Sequence, residues 1–209
     1  MSKDDYRNTD YCPSLDNICY KKLKLRKKII SQHSRCRNFY SFVSKESGSY
    51  KGDFLKIYNE KCAYCGNSIE NLTMDQFEID HFVDRSCFGS NHIGAGKMKN
   101  LVASCRTCNR LKSDFPIRGK YKVLFDAYSG LPRIFERLDD FSIAIRTEFQ
   151  NDTIINSFYS QLGFDRQFRR IDFLLLTLRG MVHDPELSKQ KSELCDILLN
   201  LQEKRNKVK

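Results

Sequence analysis

Residues 99–114 read KNLVASCRTCNRLKSD. A short apolar run starting at Asn100 and Leu101 leads into Cys105 and Cys108, two thiols spaced by two residues, and nothing from Arg106 to Lys112 is a Gly or Pro that would interrupt a helix. Strand, thiol pair and helix in that order predict half of a small metal-stapled unit. The other half stands upstream, where Cys62 and Cys65 repeat the spacing in CAYC, with 39 residues between the pairs. Two such knuckles place four thiolates tetrahedrally around one zinc ion, at sulfur distances of about 2.3 Å, because each short loop directs both sulfurs to the same side. Gly66, directly after CAYC, suits the tight turn that a knuckle needs. A redox-active CxxC explains one pair and leaves the other idle. Four sulfur ligands leave no open position for water or substrate, so the expected zinc is structural.

The bulk composition fits this reading. A chain of 209 residues with 40% hydrophobic content supplies a core for one full domain or two small ones without disulfide staples. No run of 18 apolar residues occurs, and the N-terminal MSKDDYRNTDYCPS has no apolar stretch of the kind a secretion signal needs. A soluble, cytoplasmic protein with no membrane association is the expectation. Nine cysteines in such a chain point to metal binding or buried thiols rather than a disulfide framework. The net charge of +10 suits a polyanionic partner. It is concentrated in residues 1–40, which carry ten Lys and Arg against four Asp.

Composition divides the chain into three parts. Residues 1–50 are basic and Tyr-rich, are expected to be helical, and end in the loop-like SKESGSY. Residues 51–116 hold both thiol pairs. Residues 117–209 read as helical throughout: Ile134, Leu138, Phe141 and Ile145 fall at helical spacing, as do Ile154, Phe158 and Leu162. From Phe164 through Phe168, Ile171, Leu175 and Leu178 to Val182 the stripe is widened by Phe173, Leu174 and Leu176, predicting a helix buried around most of its girth. Asp184 and Pro185 mark the start of another helix, leading to Leu187, Leu194, Leu198 and Leu201, and the charged EKRNKVK tail is expected to fray.

Between the thiol pairs lies EIDHF, with Asp80 and His81 side by side, then the loop VDRSCFGSNHIGAGKMK, then Asn100 in KNLVASC and Asn109 in CRTCNRLKSD. In this order the segment resembles the HNH endonuclease family over residues 58–115, somewhat over a quarter of the chain. The resemblance implies a ββα-metal fold in which two antiparallel strands and a helix hold one divalent cation against a phosphodiester. The strands fall at Glu78–Phe82 and Asn100–Ser104, and the helix runs from Arg106 to about Ser113. The whole is then an α+β chain, mainly helical, around a small ββα core stapled by zinc.

Hydrolysis of a phosphodiester needs a nucleophile made from water, charge neutralisation at the phosphate and stabilisation of the leaving oxyanion. His81, with an ordinary pKa of about 6.5, suits the task of base near neutral pH. Asp80 is too acidic for that task and suits a hard cation. Successive residues of a regular strand point to opposite faces, so the resemblance implies that the strand ends at this pair, freeing the carboxylate for metal and the imidazole for the phosphorus. By the same resemblance Asn109 is the other metal ligand, and two oxygen donors favour Mg²⁺ or Mn²⁺. Asn100 is given a supporting task, bonding backbone or His81. Arg110 and Lys112 are either grips for backbone phosphates or solvated helix charges. His92 is expected to be solvent-exposed, and His33 and His183 to be ordinary. Cys12, Cys19, Cys36 and Cys87 are expected to be free thiols. A second metal site from Cys12, Cys19, His33 and Cys36 is disfavoured by irregular spacing.

The implied function is a metal-dependent endonuclease, DNA favoured and RNA the alternative, leaving a 5′ phosphate and a 3′ hydroxyl. Three further readings stay open. One is a zinc-stabilised nucleic-acid-binding module without cleavage, and another is a stand-alone restriction or homing enzyme. The third rests on layout, an HNH core near the middle with helices after it, which resembles the small nuclease subunits that accompany ATPases in Septu-type anti-phage defence. There the helical C-terminal third would be the docking surface for the ATPase partner.

Overall fold

The computed structural model describes residues 5–12, 14–45, 49–90 and 92–208. Its helices are α1 (Ile18–Gln32), α2 (Tyr40–Val43), α3 (Ser49–Ile57), α4 (His92–Ala95), α5 (Arg106–Lys112), α6 (Tyr121–Leu124), α7 (Leu131–Ile134), α8 (Thr153–Gln161), α9 (Gln167–His183) and α10 (Lys191–Lys207). Strands β1 (Phe77–His81) and β2 (Leu101–Cys105) form one antiparallel pair, β3 (Phe135–Arg137) and β4 (Ile143–Ile145) another. The chain is thus α+β, helices with two small sheets. Among the described residues no helix is long and apolar enough to cross a membrane. The expected linker falls largely on residues 46–48, outside the described set, as does the side chain of His92.

The chain separates into two compact units. The first comprises Leu15–Tyr64 and Met74–Leu131. Here α1 buries Ile18, Leu25 and Ile29, which recur every seven and four residues on one face, and leaves Lys24, Lys27 and Lys28 exposed. That face meets α3 and the 3-10 turn at Met98–Asn100. Phe54, Leu55 and Tyr58 complete the core beneath it. In the β1–β2 ladder Phe77 lies opposite Cys105, Ile79 opposite Ala103 and His81 opposite Leu101, and β2 is buried along its whole length. The helix α5 follows β2 without a break, and the Cys108 N–H donates to Cys105 Sγ at 3.4 Å, capping its first turn.

The second unit comprises Met1–Ser14, Cys65–Thr73 and Pro132–Lys209. One expectation is corrected here: Ile134, Leu138, Phe141 and Ile145 do not share one helix, because α7 ends at Ile134 and the β3–β4 hairpin takes in the other three. The turn decides it. Asp140 Oδ1 accepts from the Ser142 N–H at 2.9 Å and from its hydroxyl at 2.6 Å, and Phe141 takes a left-handed φ of 66° that no helix contains. Apolar spacings of three and four coexist with the alternation of Phe135–Arg137 and Ile143–Ile145, and the local Asp–Ser bonds select the latter.

Helix α9 also differs from its expectation. It begins at Gln167 and buries Phe168, Ile171, Leu175 and Leu176, while Phe173, Leu174, Leu178 and Val182 stay half-buried. Its buried face includes Arg169 and Asp172, and Asp172 is ion-paired with Arg205 of α10. That pair also corrects the fraying tail, since it ties the last turns of α10 to α9 and the helix runs on to Lys207. Asp184 does start a helix, accepting from the Glu186 N–H at 2.9 Å, but the first turn is 3-10 and α10 begins only at Lys191.

Candidate active site

The four cysteines of the two knuckles come together. The sulfurs of Cys62, Cys65, Cys105 and Cys108 all lie within 4.8 Å of one another, and all four residues are buried. The Ala63 N–H donates to the Ala103 carbonyl at 2.8 Å, which ties the first knuckle to β2 and so to the second. Gly66 has φ 78°, the left-handed turn expected after CAYC. Among the described residues this is the one group of three or more Cys, His, Asp or Glu side chains close enough to share an ion, so Cys12, Cys19, His33 and Cys36 form no second site. Four soft donors in a closed, buried tetrad fit a structural zinc ion.

The β1–β2 hairpin and α5 build the chemistry beside it. Glu78 and Asp80, two residues apart, share one face of β1. On α5 the side chains of Arg106, Asn109 and Lys112 recur every three residues and meet them as a ladder. Arg106 Nε donates to Glu78 Oε1 at 3.2 Å, Asn109 Nδ2 to Glu78 Oε2 at 2.6 Å, and Lys112 Nζ to Asp80 Oδ1 at 3.1 Å. Asp80 also accepts the Tyr64 hydroxyl on Oδ2 at 2.5 Å. Burial pushes the Asp80 carboxyl pKa up, and Lys112 and Tyr64 pull it part of the way back. The Tyr64 hydroxyl is pushed well above its ordinary range, first by burial and then by the charge of Asp80.

His81 lies on the opposite face of β1, where its ring meets that of Tyr40 at a centroid distance of 4.3 Å. The strand stops there, and a cleft of about 350 Å³ opens with Asp80, His81 and Asn109 in its lining, together with Tyr40, Asp84 and Arg110. Burial, then the charges of Arg85 and Lys112, bring the His81 pKa down to about 4, so the imidazole is neutral at physiological pH. No hydrogen bond joins Asn100 to His81. Its amide is spent on backbone, accepting from the Val83 N–H at 2.9 Å and donating to the carbonyls of Val83 at 3.0 Å and Ala95 at 2.9 Å. It therefore pins the loop that leaves β1.

Of the two cations expected to grip phosphate, Arg110 is exposed on the cleft, whereas Lys112 is fully buried and cannot reach a solvated backbone. Its ammonium is held by Asp80 and by the His81 carbonyl at 3.0 Å, because it occupies the helix face that packs on β1. Sequence reasoning missed Glu78, Tyr64 and Tyr40. Glu78 was legible in principle from its two-residue offset to Asp80 and the three-residue spacing of Arg106, Asn109 and Lys112. Tyr40 lies far upstream on α2, and no local pattern connects it to His81.

Residues 62–115 match the family model described as HNH endonuclease. The chain carries an HNH endonuclease domain. Among curated proteins, the CRISPR-associated endonuclease Cas9 of Actinomyces naeslundii is 39% identical over 64 residues, 31% of this chain and 5% of that protein. Cas9 of Corynebacterium diphtheriae is 41% identical over 58 residues, 28% of this chain and 5% of its own length. Septu protein PtuB of Bacillus mycoides is 32% identical over 117 residues, 50% of this chain and 38% of PtuB. The two Cas9 similarities are about as long as the HNH domain, while that to PtuB covers half of the chain. The chain covers well under two thirds of each relative. No solved structure matches it significantly.

Proposed function

We propose that this chain is a metal-dependent endonuclease that hydrolyses phosphodiester bonds in nucleic acid, DNA in the first place, with His81 as the base that activates water. The observation that carries the reading is the cleft in which Asp80, His81 and Asn109 converge inside the HNH match. His81 is neutral at physiological pH and free to take a proton. Its ring is steadied by Tyr40, and the loop after it is pinned by Asn100. Glu78 takes the amide nitrogen of Asn109, which leaves the amide oxygen as the donor for a cation. Asp80 and Asn109 offer hard oxygens, and a carboxylate has more acceptor sites than Tyr64 and Lys112 fill, so the pair fits Mg²⁺ or Mn²⁺. Such an ion, when bound, neutralises charge on the phosphate and the leaving oxygen. Arg110, exposed on the cleft, is placed to hold a neighbouring phosphate. The four-cysteine zinc site supports the hairpin and takes no part in the reaction.

The similarity to Septu protein PtuB supports a second layer: a cytoplasmic effector nuclease within an ATPase-associated anti-phage complex, docked through the C-terminal helical region. Plasmid DNA and RNA cleavage with Mg²⁺ or Mn²⁺ tests the first layer. The parent should cut and His81→Ala should bind without cutting. Salt-dependent binding with no cutting by the parent would instead make the chain a binding module. Co-expression with the candidate ATPase and size-exclusion chromatography tests the second, where separate elution of the two proteins counts against the docking role.

A further inference from the structure

A second cleft, of about 310 Å³, lies in the same unit among α1, the 3-10 turn at Met98–Asn100 and the turn at residues 126–128. Neither the HNH reading nor the zinc site uses it. Tyr58, Phe82, Met98 and Val102 are buried residues of its lining, and Tyr128 stands 43% exposed beside them. Three cations also line it, Lys22 and Arg26 from α1 and Lys99 from the 3-10 turn, against one carboxylate, Asp126. Asp126 Oδ1 is already taken by its own turn, through the N–H groups of Tyr128 at 3.1 Å and Ser129 at 2.8 Å and the Ser129 hydroxyl at 2.9 Å.

Lys22 is only partly exposed, and its ammonium lies 5.5 Å from the centre of the Tyr58 ring. Burial outweighs the pull of Asp126 and Cys19 and brings its pKa down to about 8, as for a cation short of counter-charge. An apolar, aromatic slot carrying excess positive charge is complementary to a flat anion. Phe82 follows His81 directly, so the slot and the catalytic cleft are lined from adjacent residues of one strand end.

We infer that this slot takes one nucleotide unit of a nucleic-acid strand, its base on the apolar wall and its phosphate on Lys22, Arg26 and Lys99. The inference rests on the endonuclease reading for the identity of the strand. Stacking on aromatic rings tolerates any base, so the slot grips the strand without reading its sequence. The phosphate contacts make that grip weaken with salt.

Cys19 lines the slot and is exposed, so its alkylation reports occupancy. The full-length, zinc-loaded His81→Ala chain is treated with N-ethylmaleimide, and the modification of Cys19 is followed by peptide mass spectrometry. Three probes are compared: a single-stranded DNA oligomer, an oligomer of equal length without bases, and inorganic phosphate. With the DNA oligomer at roughly ten times its Kd, modification of Cys19 should slow by about tenfold; at the same concentration, loss of the stacked base weakens binding by about tenfold and removes most of the protection. The abasic oligomer and phosphate should leave the rate within about twofold. Lys22→Met, and independently Lys99→Ala on the exposed Lys99, should reduce the protection. Equal modification with and without the DNA oligomer overturns the inference, as does equal protection by the abasic oligomer. Protection of Cys19 in a chain whose parent cuts no nucleic acid would support the slot and refute the endonuclease reading, so the two fail separately.

Discussion

Replacing Lys112 with Met tests the ladder between β1 and α5 at its most costly rung. Lys112 is 0% exposed and Asp80 5% exposed, and their ion pair is 3.0 Å long. Met keeps most of the volume and removes the charge, leaving the Asp80 carboxylate buried with the Tyr64 hydroxyl as its side-chain donor. Breaking a buried pair from one side costs about 3–5 kcal/mol. For a chain of this size that corresponds to a melting point lower by roughly 6–20 °C. Asp80→Asn combined with Lys112→Met removes both charges and should recover a large part of the loss. Burial already holds the Asp80 pKa above its unfolded value, and removal of Lys112 takes away the largest influence lowering it. A carboxyl with a raised folded pKa costs stability above its unfolded pKa, and the cost disappears as pH falls and it protonates. The Lys112→Met deficit should therefore be greatest near neutral pH and shrink as the pH falls. If Asp80 is a cation ligand, Mg²⁺ should raise the melting point of Lys112→Met and leave the double variant unchanged. A single variant melting within about 2 °C of the parent at pH 7.5 would refute the buried pair.

Four further outcomes follow from the same geometry. Cys105→Ser should remove zinc and the cooperative folding of the hairpin, because binding a structural zinc ion is worth about 10–16 kcal/mol; one zinc per chain by elemental mass spectrometry is expected of the parent, and a native parent with none contradicts the site. His81→Ala should cut about 10²–10⁴-fold more slowly with unchanged binding by fluorescence anisotropy. With the His81 pKa at about 4, the neutral base persists as pH falls, so cutting should hold to about pH 5 and fall below it, whereas a midpoint near 6.5 would show an unburied ring. Gly66→Ala should cost about 2 kcal/mol or more, since φ is 78° and the new Cβ would stand 2.6 Å from Arg7 Cβ; chemical denaturation reads it, and an unchanged midpoint would show that the turn relaxes freely.

The legibility of the sequence followed the range of the forces involved. The strands at 77–81 and 101–105 and the helix at 106–112 lie within one residue of the bounds that the family resemblance implied, and local chemistry agrees for the second strand and the helix: an apolar run, a thiol knuckle and a stretch without helix breakers. The hairpin at 135–145 was misread because apolar spacing there satisfies two periods, and the choice lies in Asp140 bonds to Ser142 that a count of apolar residues does not see. Tyr40 and Tyr64 escaped because their partners, His81 and Asp80, are distant in sequence. Lys112 was read as a surface charge for a related reason. Its three-residue offset from Asn109 places both on the face of α5 that meets β1, and only the packed structure shows that the face is closed over Lys112 and open at Asn109.

That closure separates the work of the adjacent pair Asp80 and His81. The alternation of β1 turns Asp80 toward α5, into a buried ladder where Tyr64 and Lys112 fix the carboxylate at 2.5 Å and 3.1 Å. The same alternation turns His81 toward Tyr40, where an aromatic contact orients the ring and burial lowers its pKa by more than the charge of Asp84 raises it. Ending the strand at His81 lets both side chains line one cleft from opposite faces. Beyond His81 the Phe82 N–H still donates to the Asn100 carbonyl at 2.7 Å, and the Asn100 side chain then holds Val83 through both its N–H and its carbonyl. Asn100 therefore contributes by holding the chain where it leaves the sheet. Its replacement by Ala should disturb both groups together, unlike a substitution at Tyr40, which touches His81 alone.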